Sequence, residues 1–256
     1  MSKFVEKVIW DSDFFNMNIY KIIIRINNQR QIELLNEIMK KNSINLYYYI
    51  LDSKYKENIK LLEFNRFYLV QCKARFELNL CDYKNNELYK KNNKVTIFND
   101  CKFNIKDLYK LSKQVYKKSR FYNDNNINKN KVKDLYELWV YNSYYKGFAD
   151  NIYIYVDNNE IYGFCIIKNE AKDILRVSLI CVDKEQRGKR IASNMLYKII
   201  NDYKKKNYKK CLSSPQSSNI NALNFYIRNG FKFYKSEFIF HKWNNKKGDS
   251  SHENSF

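Results

Sequence analysis

Apolar and polar positions follow two different periods along this chain, and together they predict interleaved strands and helices. Over residues 29–41 apolar side chains recur at helical spacing, whereas "NIYKIIIRI" at 18–26 is rich in β-branched residues and predicts a strand. In the second half, "IYIYV" and "IYGFCIIK" predict two strands that are joined by a tight turn at 157–160. Both halves of the chain are therefore expected to mix helices with strands.

A polar stretch rich in Asn and Lys separates the two halves and has no periodicity, which predicts a linker that ends near residue 94. The expected organisation is an N-terminal α/β domain over 1–94, a second domain over 95–243 and a disordered polar tail over 244–256. No apolar run reaches the roughly 18 residues of a membrane span, so we expect no membrane insertion.

A faint internal repeat relates the two halves. In the aligned segments Leu62 falls where Tyr226 falls, and Arg66 falls where Gly230 falls. Two interpretations remain open: the N-terminal domain is a degenerate copy of the second domain, or the biased composition produces the similarity by chance.

The composition narrows the classes of function. The net charge of +20 is carried mainly by Lys that is spread along the whole chain, which argues against nucleic acid as a partner and still favours small anionic ligands. The six cysteines are scattered and form no C-x-x-C, so we expect no metal site and no disulfide framework. The N-terminus lacks a secretory pattern, and a cytoplasmic location is expected.

The most informative stretch is "RVSLICVDKEQRGKRIASNML", in which a predicted strand ends in a basic turn and then becomes an amphipathic helix. Backbone N–H groups at the start of such a helix bind anions, and a glycine at position 188 lets the backbone approach the ligand closely. A basic first turn opposes the helix dipole, so it needs a reason. The stretch predicts a pyrophosphate site, and the alternative is a solvated basic helix end.

The turn from Arg187 to Ala192 resembles the R-G-x-G-x-[GA] signature of the GCN5-related N-acetyltransferases (GNATs), although Arg190 replaces the usual glycine. A second signature follows, N-x-x-A-x-x-x-Y-x-x-x-G-F, which begins at Asn219. The resemblance implies an α/β GNAT fold, with a central, mixed and mostly antiparallel sheet flanked by helices. It also implies acetyl-CoA as the co-substrate. The residues then expected to bind it are Leu179, Ile180, Cys181, Val182, Arg187, Gly188, Lys189, Arg190, Ile191, Ala192, Ser193, Asn219 and Ala222.

The same resemblance makes Tyr226 the expected general acid for the leaving thiolate, while a core aromatic is the alternative for this residue. Asn219, Ala222 and Tyr226 are expected to share one helix face, and Gly230 to end that helix in a left-handed conformation.

Further segments, among them "WDSDFF", "SRF" and "LWVYNSYYKG", resemble the branch of TDP-fucosamine N-acetyltransferases. This resemblance implies transfer to the amine of a nucleotide-linked amino-dideoxy sugar for surface polysaccharide. Arg120 and Trp139 are the candidate substrate contacts, and His241 is a candidate that also suits a structural role. The alternatives are acetylation of a protein N-terminus, a lysine or a polyamine, and a basic binding module without catalysis. Homodimerisation is left open.

Overall fold

The structure is a computed structural model, and it describes residues 3–83, 93–115, 117 and 119–244. The strands are β1 (Val5–Lys7), β2 (Ile19–Ile22), β3 (Leu46–Asp52), β4 (Tyr68–Asn79), β5 (Val95–Ile97), β6 (Asn151–Asp157), β7 (Glu160–Ala171), β8 (Ile174–Val182), β9 (Lys210–Ser213) and β10 (Lys232–Trp243). The helices are α1 (Ile9–Phe15), α2 (Gln29–Lys41), α3 (Ile59–Phe64), α4 (Ile105–Ser112), α5 (Arg120–Asn123), α6 (Lys129–Tyr145), α7 (Ile191–Lys205) and α8 (Ile220–Arg228). Most of the predicted linker and tail lies outside the described residues.

Local patterning predicted the elements well. Helix α2 spans the predicted range, and Ile32, Leu35 and Met39 form its buried face. The turn between β6 and β7 is the predicted hairpin, because Asn158 and Asn159 both adopt positive φ, as a type I′ turn requires. None of the helices in the described ranges combines the length and apolar character that a membrane crossing requires.

The chain divides into two compact units at places that the sequence did not indicate. The first unit comprises residues 1–72 and 237–256, and the second comprises residues 73–236. The expected boundaries at 94 and 243 therefore differ from the observed division. The reason lies in two strands. β4 belongs to the first half of the chain and pairs with β9 of the second unit, whereas β10 belongs to the second half and pairs with β3 of the first unit.

The first unit contains a short mixed sheet. Strand β2 pairs antiparallel with β1 and parallel with β3, and β3 pairs antiparallel with residues 237–243 of β10. Helix α2 packs its apolar face into the core of this unit, beside Tyr47 and Phe240.

The second unit contains the larger sheet, in the order β4-β9-β8-β7-β6-β5. Only β8 and β9 are parallel, and the other neighbours are antiparallel. Helices α7 and α8 contribute to the core on one face, and α4 and α6 to the core on the other. The expected mostly antiparallel sheet flanked by helices is confirmed.

The faint repeat has a structural counterpart. Matching structural features lie 164 positions apart, which is also the separation of Leu62 and Tyr226 in the sequence. Both β4 and β10 have 12 residues and keep this offset at each end. The turns that follow α3 and α8 are also alike: Arg66 and Gly230 both have positive φ. In each turn the next residue donates its N–H to the carbonyl of the matched residue, Phe67 to Leu62 at 3.0 Å and Phe231 to Tyr226 at 3.0 Å. This is the Schellman motif in both copies.

The repeat also explains the division into units. Leu46 of β3 pairs with Trp243 of β10, and Lys210 of β9 pairs with Asn79 of β4. These two pairs are related by the same offset of 164 positions, so β10 completes the sheet of the first unit and β4 completes the sheet of the second.

Candidate functional site

The candidate site is built around a fork between the parallel strands β8 and β9. Strand β9 pairs with β8 only over residues 174–177, although β8 continues to Val182. In the described part of the chain, no strand pairs with this edge of β8 beyond Val177. The backbone of residues 178–182 therefore has one edge to which a ligand can hydrogen-bond.

A β-bulge stands at the apex of the fork. Ile166 and Ile167 are consecutive in β7, but their partners in β8 are Leu179 and Val177, so Ser178 is the extra residue. The bulge reverses the alternation of side chains along β8. Val177 belongs to the core beneath α7, whereas Leu179 packs against the core on the opposite face. The bulge thus re-aims the backbone at the point where β8 and β9 part.

The segment that follows β9 forms the other side of the fork and continues beside β4. The Ala74 N–H donates to the Pro215 carbonyl at 3.0 Å, and Lys73 forms an isolated bridge with Gln216. Pro215 has no N–H of its own, so it cannot donate to a neighbouring strand. The chain after β9 therefore leaves β8 and follows β4.

The turn that leads from β8 to α7 is held by side-chain hydrogen bonds. The carboxylate of Asp183 accepts from the Glu185 N–H at 2.9 Å and begins a short 3-10 turn at 184–186. Gln114, which follows α4, accepts from the Lys184 N–H at 3.0 Å and donates to Asp183 at 3.2 Å. The start of the basic turn is thus anchored to the residue that follows α4.

Two residues of the basic turn have left-handed backbone conformations. Gly188 has φ +82°, and no atom lies within 4 Å of the position that a Cβ would occupy. Arg190 has φ +60° and ψ 15°, so it holds the conformation that the usual glycine of the signature would adopt easily. Glycine would therefore adopt the backbone conformation of residue 190 with less steric cost than arginine.

Helix α7 begins with its first N–H groups open to a ligand. Arg190 is the N-cap and its side chain does not cap, and the first turn contains no acidic residue among those described. Arg187, Lys189 and Arg190 are exposed around it. Arg187 donates to the Val182 carbonyl at 3.3 Å, and Lys189 donates to Gln186 at 2.7 Å. Together these groups form a cationic site at a helix N-terminus.

Helix α2 offers a comparison within the chain, because the offset of 164 positions relates its last residue, Lys41, to Lys205 at the end of α7. There Asn28 accepts from the Gln31 N–H at 3.0 Å, and the Gln31 side chain accepts from the Asn27 N–H at 2.6 Å. Asn28 is the N-cap, so these contacts resemble a capping box in which the second bond goes to the preceding residue, and they satisfy N–H groups at the helix end internally. The repeat therefore has one capped and one open N-terminus.

Close packing brings α7 to the sheet at Gly163, a residue that the sequence analysis did not select. A Cβ there would lie 2.9 Å from the Cys181 carbonyl, 3.1 Å from Met195 and 3.2 Å from Ile191. Ile191 is buried, while Ala192 and Ser193 are partly exposed. The signal that could have indicated Gly163 was its place inside a strand of a chain with five glycines.

Asn219 differs from its expected place. It is the N-cap of α8, and its side chain accepts from the Ala222 N–H at 3.4 Å. It therefore precedes the helix rather than sharing its face with Ala222 and Tyr226. Gly230 adopts φ +83° after the helix, as expected.

Tyr226 lies at the base of the fork and is 3% exposed. Its ring stacks on Phe76 at 6.0 Å and meets Phe231 edge-on at 5.1 Å. The phenol forms a hydrogen bond with the Ser213 side chain, and Ser213 is the last β9 residue that pairs with β8. Burial raises the pKa of the phenol well above its usual value, so the group stays protonated near neutral pH.

Arg120 and Trp139 come together around Tyr136. The Arg120 guanidinium lies 4.3 Å from the centre of the Phe121 ring, and its charge acts on the pKa of Tyr136, which burial raises to about 12. The Trp139 ring is 5.7 Å from the Tyr136 ring. Both candidates therefore belong to the α5–α6 part of the second unit.

His241 belongs to the first unit, where it is fully buried in β10 opposite Tyr48. Its role as a substrate contact stays a prediction. Within the described ranges, His, Cys, Asp and Glu residues form no group that could hold a metal ion.

Comparisons with known proteins show which family and fold the chain resembles. Residues 149–233 match the family described as "Acetyltransferase (GNAT) domain". The spore coat polysaccharide biosynthesis protein SpsD of Bacillus subtilis is 24% identical over 137 residues, which cover 54% of this chain and 47% of SpsD. The chain therefore aligns with less than half of that relative.

Two solved structures share the fold. A conserved Staphylococcus epidermidis protein, described as functionally unknown, matches with a TM-score of 0.64 and 14% identity over 96% of this chain and 93% of its own. A GCN5-related N-acetyltransferase from Sphaerobacter thermophilus matches with a TM-score of 0.60 and 13% identity over 88% and 73%. Residues 149–233 thus resemble a GNAT acetyltransferase domain, and the two solved structures share the fold of the chain.

Proposed function

We propose that this protein transfers the acetyl group of acetyl-CoA to the amine of a nucleotide-linked amino-dideoxy sugar, for the synthesis of a surface polysaccharide or glycan. The observation that carries the proposal is that an unpaired edge of β8 and an uncapped, cationic N-terminus of α7 occur together. The first supplies backbone hydrogen bonds and the second supplies an anion site, and acetyl-CoA needs both.

The residues at the fork fit acetyl-CoA in the following way. Backbone groups of Leu179, Ile180, Cys181 and Val182 bind the pantetheine arm as a further strand would. The pyrophosphate binds the N–H groups at the start of α7, where Gly188 leaves open space for it. Arg187, Lys189 and Arg190 add charge around the phosphates, and Ala222 lies on the helix that flanks the arm.

The chemistry at the fork is an attack by the acceptor amine on the thioester carbonyl carbon. A C–N bond forms, the C–S bond breaks, and the nitrogen loses one proton to water. Tyr226, which is protonated near neutral pH, donates its proton to the leaving sulfur and takes one back from water before the next turnover. Holding the amine and the thioester in line supplies the larger share of the rate enhancement, about 7–11 kcal/mol for well-oriented reactants.

The assignment of the acceptor rests on a different observation. SpsD is described as a spore coat polysaccharide biosynthesis protein. Sugars for polysaccharides are activated as nucleoside diphosphate sugars, and a guanidinium near the acceptor suits their phosphates better than it suits a cationic polyamine or lysine. Arg120 and Trp139 provide one guanidinium and one aromatic face in a single region.

A free-thiol assay tests the proposal. The protein and acetyl-CoA are offered dTDP- and UDP-linked 3- and 4-amino-dideoxyhexoses, a polyamine series and several peptides. We expect thiol release with one class of nucleotide sugar. Turnover restricted to peptides or polyamines would refute the sugar assignment while keeping the transferase. If acetyl-CoA does not bind at all, the protein is a basic module and the proposal is wrong.

A further inference from the structure

The end of α4 contacts the strand on which the acetyl-CoA arm is expected to lie. The Leu111 carbonyl accepts from the Cys181 thiol at 3.0 Å and from the Gln114 N–H at 3.1 Å. Leu111 and Cys181 are buried in the core on the α4 face of the sheet. The neighbouring Lys113 forms an ion pair with Glu137 of α6. The segment that leaves α4 is therefore held by β8 and by α6.

The Gln114 side chain extends from this segment to the turn between β8 and α7. Its Oε1 accepts from the Lys184 N–H at 3.0 Å, and its Nε2 donates to one carboxylate oxygen of Asp183 at 3.2 Å. The other carboxylate oxygen of Asp183 accepts from the Glu185 N–H at 2.9 Å. One carboxamide thus satisfies a backbone donor and a side-chain acceptor of the same turn.

The two partners of Gln114 require opposite hydrogen-bonding groups. A backbone N–H can only donate, whereas an ionised carboxylate can only accept. A carboxamide carries an acceptor oxygen beside a donor nitrogen, so glutamine suits both partners at once. Glutamate at this position would place a second carboxylate against Asp183, and methionine would leave both partners unmatched.

These contacts separate the N–H groups that hold the turn from those that are left for a ligand. The N–H groups of residues 184 and 185 donate to the side chains of Gln114 and Asp183. The next two, of residues 186 and 187, donate to backbone carbonyls of the turn at 3.0 and 3.4 Å. Four consecutive N–H groups are therefore used within the turn directly before Gly188, where the proposed pyrophosphate contacts begin.

We propose that Gln114 is a positioning residue for acetyl-CoA, which holds the turn at 183–187 so that the N–H groups from Gly188 onward face the pyrophosphate. The inference rests on the proposed function, because it assigns a support to the acetyl-CoA site of that reaction. Gln114 acts through the turn and contacts none of the reacting atoms.

The test is calorimetric titration of acetyl-CoA into the full chain. For Gln114→Met we expect binding to weaken about threefold to tenfold, because the turn loses two hydrogen bonds. The matched control is Gln29→Met. Gln29 is also exposed and its side chain also forms two hydrogen bonds, both with Asn65 of the first unit, so its replacement should leave acetyl-CoA affinity unchanged.

A reciprocal exchange tests the geometry of the pair. Gln114→Glu should weaken acetyl-CoA binding about tenfold, because two carboxylates then face each other. Asp183→Asn should also weaken it, because one oxygen of residue 183 becomes a donor while both of its partners are donors. The double variant Gln114→Glu/Asp183→Asn again places a donor opposite an acceptor, with the direction reversed, and should bind within about twofold of the wild type.

The direction of the Asp183→Asn effect separates the hydrogen bonds from the charge of the site. This substitution removes a negative charge beside a cationic turn, so electrostatics alone would strengthen the binding of an anionic ligand. Weaker binding supports the positioning role. Equal or tighter binding would mean that charge, and not the hydrogen-bonded pair, sets the affinity, and the inference would be wrong.

The outcomes also separate this inference from the proposed function. Thermal unfolding of each variant shows that it is folded, since the pair lies at the surface. If the wild type binds acetyl-CoA and Gln114→Met binds equally tightly, or if the double variant does not recover, only the role of Gln114 is refuted. If the wild type does not bind acetyl-CoA, the proposed function fails and this inference fails with it.

Discussion

The left-handed Arg190 permits a test that separates backbone conformation from charge. Its φ of +60° is sterically unfavourable for a residue with a Cβ, and its side chain does not cap α7. Arg190→Gly removes both the strain and the charge, whereas Arg190→Ala removes the charge and keeps the strain. The difference between the two variants therefore isolates the cost of the conformation.

The expected magnitude follows from two opposing contributions. A left-handed conformation costs a non-glycine residue about 1–2 kcal/mol. Glycine in turn increases the entropy of the unfolded chain, which offsets about 0.4–1 kcal/mol. We therefore expect Arg190→Gly to be more stable than Arg190→Ala by about 1 kcal/mol. In a unit of this size that difference corresponds to a shift in Tm of about 2–4 °C.

Thermal unfolding measures this difference, and titration with acetyl-CoA measures the loss of charge. Both variants should bind acetyl-CoA about twofold to fivefold more weakly than the wild type, since each loses one exposed positive charge. The effect should shrink as ionic strength rises. Equal Tm values for the two variants would show that residue 190 is not held in the left-handed region, and the account of this turn would be wrong.

Three further substitutions test the site and the core. Tyr226→Phe should lower turnover by about a hundredfold or more with little change in acetyl-CoA affinity, as single-turnover kinetics and calorimetry would show; unchanged turnover would make Tyr226 a core residue. Gly163→Ala should destabilise the protein by about 1–3 kcal/mol in denaturant unfolding, because its Cβ would lie 2.9 Å from the Cys181 carbonyl; wild-type stability would contradict that packing. Asn28→Ala should cost about 0.5–2 kcal/mol of stability, because the cap of α2 is lost, and should leave acetyl-CoA affinity intact. Weaker acetyl-CoA binding by this variant would mean that α2 contributes to the site.

The sequence predicted the basic turn because its chemistry is local. A strand, a glycine and a helix with a defined apolar face are neighbours in the chain, so spacing alone indicates the helix N-terminus. The conformation of Arg190 could not be predicted in this way, since an arginine is not expected at positive φ.

The fork and its bulge depend on contacts that a local pattern does not contain. In "RVSLICV" the residues at 179–182 are all apolar, so the pattern does not show that the side chains change faces of the sheet at Ser178. Periodicity also cannot show where β9 stops pairing with β8. The shared contact of Arg75 and Arg176 with the Ser214 hydroxyl has the same origin, because these two arginines are 101 positions apart in the chain and meet only through strand order.

The strand exchange leads to the last prediction, which concerns where the chain can be cut. A fragment over 95–243, as the composition suggested, lacks the β4 segment that covers the core of the second unit. That segment includes Phe76, which stacks on Tyr226, and Leu78, which lies 3.6 Å from the Cβ position of Gly230. A fragment over 73–236 keeps both residues and contains the whole second unit.

We expect only the second of these fragments to fold, and the reason is energetic. Burying an aromatic or leucine side chain contributes about 1.5–3 kcal/mol, and the missing segment holds Phe76, Leu78 and Leu80 in one buried cluster. Losing about 5–9 kcal/mol removes most or all of the net stability of a typical domain. Circular dichroism and acetyl-CoA titration of both fragments would decide the question. If the 95–243 fragment folds and binds as well as the 73–236 fragment, β4 is dispensable and the exchanged strand does not support the fork.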